Sequence, residues 1–570
     1  MTAGINIASP LKEMARNRPD QTALMIPVGR SGPRITYRRL SYLELDRLSD
    51  QLALDLIKQG IGRGCRTVLM VPPSLEFFAL TFALFKAGAI SVFVDPGMGI
   101  KNIGRCLADA EPHAFIGIPK AHLARALMGW AGASLKYQIA VGAGAGLCRW
   151  LGRDIQAWGP SRFAAALHTQ IETSPPEVET SISLTTEQDV AAILFTSGST
   201  GVPKGAVYTH GNFSAQIEML RDTFAIQPGE IDLCTFPLFA LFAPALGMTA
   251  IVPRMNFTRP ARVNPIEVSG PILQENVANL FGSPALLNCV GRFYDNASVQ
   301  WPTLRRILSA GAPVSAEIIA RFAKHLAPGV QIFTPYGATE SLPVAVIGSD
   351  EILAETRYLT EQGHGTCVGR PVRGMDVSII GITDAPIDTW QDSLALPPGQ
   401  IGEIVVNGLN VTQEYFRKPE LTALAKIRDP RTERRRHRMG DVGYFDTHGR
   451  LWFCGRKSHR VVARDRIYFT EPVEGIFNAH PAVFRTALVG VLRDESNLPV
   501  LCVEREPAYR RGSTDQLTTE LLSLGAKYEI TRPIKTILYH DSFPVDIRHN
   551  SKIFREKLAV WASRQLERVK

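Results

Sequence analysis

Paired cysteines are missing from this 570-residue sequence, and so is the spacing of a metal-binding cluster. The eight cysteines stand singly, without a CxxC pair or a neighbouring histidine ladder, at positions 65, 106, 148, 234, 289, 367, 454 and 502. Neither a disulfide framework nor a zinc site is indicated, which suits a reducing compartment, and we expect a cytoplasmic protein. The N-terminal residues meet charges before an apolar core of signal-peptide length develops, so no export signal is expected.

Long charge-free runs are also scarce, and one of them is long enough to span a bilayer. It reads "LCTFPLFALFAPALGMTAIV", residues 233–252, and contains no charged side chain. Pro237, Pro244 and Gly247 interrupt it, which favours a buried strand, a turn and a helix start over a spanning helix. We expect core or the wall of a ligand tunnel here, and no transmembrane segment, while a peripheral membrane contact stays open.

Charge of one sign does not dominate either. Lysine and arginine number 63 against 54 acidic residues, and the net charge of +9 is spread over the chain. Such a balance fits anionic substrates better than nucleic acid, and no nucleic-acid partner is expected. The sharpest cluster, "RDPRTERRRHR" at residues 428–438, predicts a solvated surface loop, with a contact to anionic lipid or to a partner protein as the alternatives.

The segments that are present alternate between helix and strand patterns. This holds from "SYLELDRLSDQLALDLIKQGI" to "ISVFVDP" and again at "ANLFGSPALLNCV" and "VQIFTPYGATE", which predicts βαβ units and parallel sheet. After Gly363 short strands with turn residues follow, and Gly449 in "THGR" predicts a hairpin turn. From His459 onward, strands and helices are sufficient for a small α+β domain.

A glycine-rich loop, "TSGSTGVPKG" at residues 196–205, follows an apolar strand pattern. Its glycine-to-lysine spacing is not that of a Walker loop. The glycines nevertheless allow backbone N–H groups to turn toward one point, as in an anion-binding cradle. Hydroxyl groups and one ammonium group complete the cradle, from Thr196, Ser197, Ser199, Thr200 and Lys204. Phosphate binding is the functional interpretation, and an ordinary glycine-rich turn is the alternative.

Together with five later motifs, this loop closely resembles the signature of the acyl-adenylate-forming superfamily, which includes acyl-CoA synthetases, luciferases and nonribosomal peptide adenylation domains. The motifs are "SAGAPVS", "TPYGATES", "GEIVVNG", "HRMGDVGYFDTHGRLWFCGR" and "RHNSKIFREKL", in the family's order. The resemblance implies an α/β fold. A large N-terminal adenylate-forming domain, residues 1–457, would contain two βαβ-type subdomains plus a distorted small barrel, and residues 458–570 would form a small mobile α+β C-terminal domain.

Carried over residue by residue, the resemblance implies a nucleotide site for ATP. Its cofactor-binding residues would be Thr196, Ser197, Gly198, Thr200, Gly311, Ala312, Pro313, Tyr336, Gly337, Asp441 and Arg456. The loop hydroxyls would hold the β- and γ-phosphates, while residues 311–313 and Tyr336 would enclose the adenine. Asp441 would accept hydrogen bonds from the ribose hydroxyls, and Arg456 would reach the ribose and the phosphates.

The resemblance also implies Mg2+ and four catalytic residues. Lys204 would contact the phosphates, Thr339 the α-phosphate and Glu340 the Mg2+ ion. Lys552 would bridge the substrate carboxylate and the α-phosphate. Positive charge is needed because a carboxylate is a weak nucleophile that repels the triphosphate. A surface charge on the last helix is the alternative for Lys552.

Departures from the family bear on the second half of the reaction. Ala240 follows "FPLF" where many acyl-CoA synthetases have a histidine, His459 stands at the hinge, and Ser551 replaces the usual glycine before the late lysine. Arg464 and Asp465 occupy the place of a glycine pair. They would narrow the channel for the pantetheine arm of coenzyme A. Both charges would also lose their water during domain closure, which is unfavourable unless they find partners.

This combination resembles the β-lactone synthetases of bacterial long-chain olefin biosynthesis, in "FPLFALFAPALGM", "GRKSHRV" and "PVDIRHNSKIFREKL". The resemblance implies that a long-chain 2-alkyl-3-hydroxy acid is adenylated and that its β-hydroxyl attacks its own carboxyl carbon, giving a β-lactone and AMP. A long-chain acyl-CoA or acyl-AMP ligase is one alternative. A catalytically inactive adenylate-binding protein is another, which is disfavoured because the five key charged residues are all present.

The substrate pocket is expected to be long and apolar. Its predicted wall residues are Phe239, Phe242, Phe281, Gly282 and Ala338, with ordinary core packing as the alternative for each. His459 and His210 are candidate bases for the hydroxyl proton, with a structural role as the alternative. The implied pathway supplies the expected partners, which are the β-hydroxy acid and an assembly with the pathway's reductase and β-lactone decarboxylase.

Overall fold

The computed structural model describes residues 5–144, 146–148, 152, 154–168, 174–196, 203–464, 466–493, 495–545 and 553–568. Two large sheets and a small C-terminal sheet form its framework. The helices are Ser9–Asn17, Tyr42–Lys58, Leu75–Lys86, Ile100–Ala110, Pro119–Met128, Pro160–His168, Pro176–Ser183, His210–Phe224, Pro237–Ala240, Phe242–Ala245, Ile266–Gln274, Pro284–Tyr294, Ala316–Ala323, Ser349–Glu351, Arg357–Thr360, Pro419–Ala425, Thr470–Asn478, Thr514–Ala526 and Arg555–Arg568.

The first sheet has seven strands and is parallel except for its last pair. In spatial order the strands are Ile155–Trp158, Tyr137–Val141, Ala114–Gly117, Arg66–Met70, Ile90–Phe93, Val190–Thr196 and Lys204–Thr209. Helices between consecutive strands cover its faces, as expected for βαβ units. The predicted alternation of helix and strand over the first part of the chain is therefore confirmed.

The second sheet combines a parallel half with an antiparallel half. Its order is Asp376–Ile380, Gly402–Asn407, Arg434–Phe445, Leu451–Arg456, Thr366–Pro371, Ser341–Gly348, Gln331–Ala338, Arg306–Leu308, Asn279–Phe281, Ile231–Cys234, Thr249–Ile251, Thr22–Ser31 and Arg34–Ser41, with Lys426–Asp429 paired beside Arg434–Phe445. The short strands predicted after Gly363 belong to the antiparallel half of this sheet.

Two local predictions are confirmed. Gly449 has a φ of 70° in the turn between Arg434–Phe445 and Leu451–Arg456, a conformation that glycine adopts at little cost. The charge-free run at residues 233–252 folds as a strand end, two short helices and the strand Thr249–Ile251. Over the described part of the chain, no helix has the length and apolar character needed to cross a membrane.

The arginine-rich segment forms a hairpin, not the surface loop expected from the sequence. Strands Lys426–Asp429 and Arg434–Phe445 pair antiparallel. Arg436 is buried with two aspartates 2.7 and 2.8 Å from its guanidinium group, and buried Arg438 lies 2.6 Å from Glu403. The prediction of a solvated loop is wrong for these two residues, because Asp429 of the hairpin, together with Asp376 and Glu403 of other strands in the sheet, supplies the carboxylates that buried guanidinium groups require.

The C-terminal part contains a sheet of strands Val483–Arg493, Ser496–Arg505 and Thr536–Tyr539, with its own hydrophobic clusters. Its helix Thr470–Asn478 packs on the antiparallel half of the second sheet, where Thr366 donates a hydrogen bond of 2.8 Å to Glu471. The division of the chain at residues 457 and 458 stays a prediction.

Candidate active site

A cavity of about 1360 Å3 lies where parallel strands of both large sheets end. Phe93 and Thr196 border it from the first sheet, and Ala338 borders it from the second. Carboxyl ends of parallel strands are the usual ligand-binding edge of such sheets. One end of the cavity is polar, and the other is lined by aromatic and aliphatic side chains.

Three predicted nucleotide-binding residues form a hydrogen-bonded group at the polar end. The Tyr336 hydroxyl donates to Asp441 Oδ2 at 2.7 Å, and Arg456 Nη1 lies 2.8 Å from Asp441 Oδ1. Burial raises the pKa of Asp441, while the adjacent carboxylate raises the pKa of Arg456. Arg456 borders the cavity, and these bonds connect Asp441 and Tyr336 to its wall.

The predicted platform for the adenine is only partly at the cavity surface. Gly311 and Gly337 border the cavity, whereas Ala312 and Pro313 do not. A Cβ atom at Gly337 would lie 2.6 Å from the carbonyl oxygen of Ser341, so only glycine allows the two strands to approach this closely.

Thr339 and Glu340 occupy the tip of the hairpin between Gln331–Ala338 and Ser341–Gly348. Both residues border the cavity. The hydroxyl of Tyr208 donates to the carbonyl oxygen of Thr339, and this bond ties the tip to the first sheet. The hairpin thus places two predicted catalytic residues side by side.

Two residues that the sequence did not predict hold Glu340. The Tyr415 hydroxyl donates to Glu340 Oε1 at 2.6 Å, and the Thr412 N–H donates to its carbonyl oxygen at 3.0 Å. Glu340 is 9% exposed. A single oriented carboxylate suits Mg2+, which commonly takes one or two carboxylates together with phosphate oxygens and water. The residues present therefore fit this ion.

Lys204 faces the same end of the cavity. Its Nζ atom lies 5.1 Å from the centre of the Tyr415 ring, and it pairs with Thr196 across the first sheet. Burial lowers the pKa of Lys204, an effect that the charge of Glu340 opposes. The other predicted loop residues, Ser197, Gly198 and Thr200, lie outside the described residues.

The apolar end of the cavity, which forms an arm away from the polar end, is lined by most of the residues predicted to contact the substrate. Phe239, Phe242 and Ala338 border the main cavity. Phe281 packs on Phe239 with 4.6 Å between ring centres and borders an adjoining cavity of about 60 Å3. Gly282 borders neither cavity. A Cβ atom at this position would lie 3.1 Å from the side chains of two leucines in the following helix.

The two candidate bases do not border the cavity. His210 Nδ1 accepts the N–H of Ile7 at 3.1 Å, and burial lowers the pKa of His210 to about 4. His459 Nε2 lies 3.5 Å from Glu556. A histidine that sequence reasoning missed, His437, does border the cavity, although it opens a motif that was noticed in the sequence.

His437 is buried, and its ring is oriented by the backbone. Its Nδ1 lies 3.2 Å from the carbonyl oxygen of Ala425 and must donate to it, which leaves Nε2 as an acceptor. Burial, reinforced by the neighbouring charge of Lys426, holds the pKa of His437 well below its usual value. The imidazole is therefore neutral at physiological pH.

The segments expected to govern domain closure are described only in part. Lys552, Ser551 and Asp465 lie outside the described residues. Arg464 is exposed in the turn after strand Val461–Val462 and does not border the cavity. Narrowing of a thiol channel by this turn stays a prediction.

Comparison with known proteins agrees with this architecture. A family model described as AMP-binding enzyme matches residues 11–416. The olefin β-lactone synthetase of Xanthomonas campestris pv. campestris is 48% identical over 570 residues, covering 99% of each chain. A protein of the same name from Stenotrophomonas maltophilia is 46% identical over 576 residues, covering 100% of each chain. The amide bond synthetase McbA from Marinactinospora thermotolerans shares the fold, with a TM-score of 0.76 at 20% identity over 97% of this chain and 99% of that one. The chain therefore belongs to the AMP-binding enzyme family and is an ATP-dependent, AMP-forming synthetase.

Proposed function

We propose that the protein converts a long-chain 2-alkyl-3-hydroxy acid and ATP to a β-lactone, AMP and pyrophosphate. The observation that carries this proposal is the full-length similarity to two olefin β-lactone synthetases at 46% and 48% identity. The cavity supports it, because one continuous space joins Lys204, Glu340 and Arg456 to an arm walled by Phe239 and Phe242. A carboxylate with a long alkyl chain matches these two ends.

In the first step, the acid's carboxylate oxygen attacks the α-phosphorus of ATP and pyrophosphate leaves. Arg456 and Lys204 supply positive charge where negative charge accumulates, which is the largest source of catalysis in many enzymes. Asp441 would orient the ribose, and Glu340 would hold Mg2+. The ion, when bound, neutralises phosphate charge. Lys552 on the C-terminal domain would complete the site after the domain rotates about residues 456–459.

In the second step, the β-hydroxyl oxygen attacks the activated carbonyl carbon. The new C–O bond closes the ring, the bond to the AMP phosphate breaks, and the hydroxyl proton is released. Because nucleophile and electrophile belong to one molecule, no second substrate must be positioned. The role of Phe239 and Phe242 would be to fold the alkyl chains and to exclude water, which would otherwise hydrolyse the adenylate.

Product analysis tests the proposal. The protein is incubated with ATP, Mg2+ and a synthetic long-chain 2-alkyl-3-hydroxy acid, with and without coenzyme A, and the products are weighed by mass spectrometry. We expect a product lighter than the acid by one water, formed with AMP at a rate that coenzyme A does not change. A thioester formed only with coenzyme A would refute lactone formation and establish an acyl-CoA ligase.

Two further assignments follow from the same proposal. The pathway's reductase would supply the hydroxy acid and its decarboxylase would consume the lactone, in the cytoplasm. Lys552→Ala should abolish substrate-dependent conversion of ATP to AMP, and unchanged turnover would contradict the role of that lysine. Binding of the purified reductase or decarboxylase, measured by co-sedimentation, tests the assembly.

A further inference from the structure

Lys426 is a buried lysine close to the polar end of the cavity. It begins strand Lys426–Asp429, pairs with His437 on the neighbouring strand and is 4% exposed. Its ammonium group donates to the hydroxyl of Thr412 at 3.1 Å and to the carbonyl oxygen of the same residue. Both acceptors are uncharged, so neither neutralises the ammonium.

The other buried lysine and arginine side chains in the described part of the chain are ion-paired. Each has a carboxylate within 4.0 Å, and they are Lys12, Lys86, Arg306, Arg436, Arg438 and Arg450. Lys426 has no such partner among the residues that the structure describes. A buried charge without an ion-pair partner destabilises the folded protein, and a functional role of that charge would explain its presence. Burial lowers the pKa of Lys426 to about 7, an effect that the charge of Glu340 opposes and that of Arg435 reinforces.

The surroundings of Lys426 indicate the functional role of its charge. Lys426 Nζ lies 6.0 Å from the centre of the Tyr415 ring, and Lys204 Nζ lies 5.1 Å from the same ring. The two residues that Lys426 contacts, Thr412 and Tyr415, are also the two that bond Glu340. Lys426 thus adds a second ammonium group to the phosphate end and is tied to the segment that orients the proposed Mg2+ ligand.

We infer that Lys426 is a positioning residue for the pyrophosphate portion of ATP, supplying from beside Tyr415 positive charge that balances the phosphates and fixing the residues that hold Glu340. This inference rests on the proposed function and adds a residue to its site. Lys426 is 4% exposed, and electrostatic interactions are stronger in such a buried position than in solvent. The ligand class is an inorganic pyrophosphate or a nucleoside triphosphate.

A purely structural role makes a different prediction. If Lys426 served only to hold Thr412, an uncharged donor could replace it. Its substitution would then change the affinities for charged and uncharged ligands equally. Lys426→Gln retains a donor for Thr412, and Lys426→Met removes both donor and charge. Lys418→Met is the matched control, since Lys418 lies between Tyr415 and Lys426 in the chain but pairs with Asp109 at 3.0 Å.

Titration calorimetry with magnesium pyrophosphate and, separately, with uncharged adenosine tests the inference on the full-length protein. For both Lys426 variants we expect pyrophosphate affinity to fall about tenfold or more, while adenosine affinity stays within twofold. Lys418→Met should bind both ligands like the wild type. Pyrophosphate binding by Lys426→Gln within twofold of the wild type would overturn the inference and leave the proposed function intact. If the wild type bound neither ligand, the ATP site and the inference would both be refuted.

Discussion

Replacing Tyr415 by phenylalanine removes one hydroxyl and retains the ring, so the substitution isolates the hydrogen bond that orients Glu340. This bond is 2.6 Å long, and its acceptor is a carboxylate that is 9% exposed. A hydrogen bond to a charged group contributes about 1.5–3 kcal/mol, which corresponds to roughly 10- to 100-fold in an equilibrium constant. Losses of about this size are also typical when a residue that orients a metal ligand is removed.

The assay is exchange of labelled pyrophosphate into ATP, measured in the presence of substrate as a function of Mg2+ concentration. For Tyr415→Phe we expect the Mg2+ concentration at half-maximal rate to rise by about 10- to 100-fold. Tyr444→Phe is the control, because the Tyr444 hydroxyl donates to the carbonyl of His364 at 3.1 Å and does not border the cavity. A Mg2+ dependence within twofold of the wild type would refute the argument that Tyr415 orients a metal ligand.

Three other outcomes follow from the structure. Lys86→Met should destabilise the protein by about 3–5 kcal/mol, because buried Asp46 loses the cation at 2.5 Å and buried Asp50 keeps only the more distant Lys12 at 3.5 Å, and a thermal midpoint equal to the wild type would contradict this. The pKa of His210 is about 4 in the folded protein and 6.5 in the unfolded chain, so only the unfolded chain binds a proton at this residue as the pH falls from 6.5 to 4. The free energy of unfolding should therefore decrease by up to about 1.4 kcal/mol per pH unit in this range. Denaturation of His210→Gln, measured over the same pH range, should lack this contribution. Phe239→Ala should shift the preference between two competing hydroxy acids toward the bulkier alkyl chain, and an unchanged product ratio would remove Phe239 from the substrate wall.

Local sequence patterns were sufficient for much of the framework. Alternating helix and strand patterns indicated the βαβ units, and Gly449 marked its hairpin turn because few other residues adopt a positive φ easily. The prolines and Gly247 within residues 233–252 correctly indicated buried elements rather than a spanning helix. These features depend on neighbours a few positions apart in the chain, which a pattern can capture.

The burial of Arg436 and Arg438 was not predictable in the same way. Their partners Asp376 and Glu403 come from strands far away in sequence, so a run of arginines looks like solvent-exposed charge until the sheet brings those carboxylates close. His437 was missed for a related reason. Its motif was recognised, but only the register with Lys426–Asp429 places its ring at the cavity wall.

The sequence by itself determined the chemical class, because the glycine-rich loop and the later motifs are contiguous strings whose residue types and order are sufficient to indicate an adenylate-forming enzyme. Tertiary structure alone decided which distant residues serve that chemistry. Tyr415 reaches Glu340 across 75 positions of the chain, and among the described residues Lys426 has no carboxylate within 4.0 Å, unlike buried Lys12 and Lys86. Burial and pairing are properties of the packed protein, since they depend on which strands become neighbours and not on the residues beside each one in the chain.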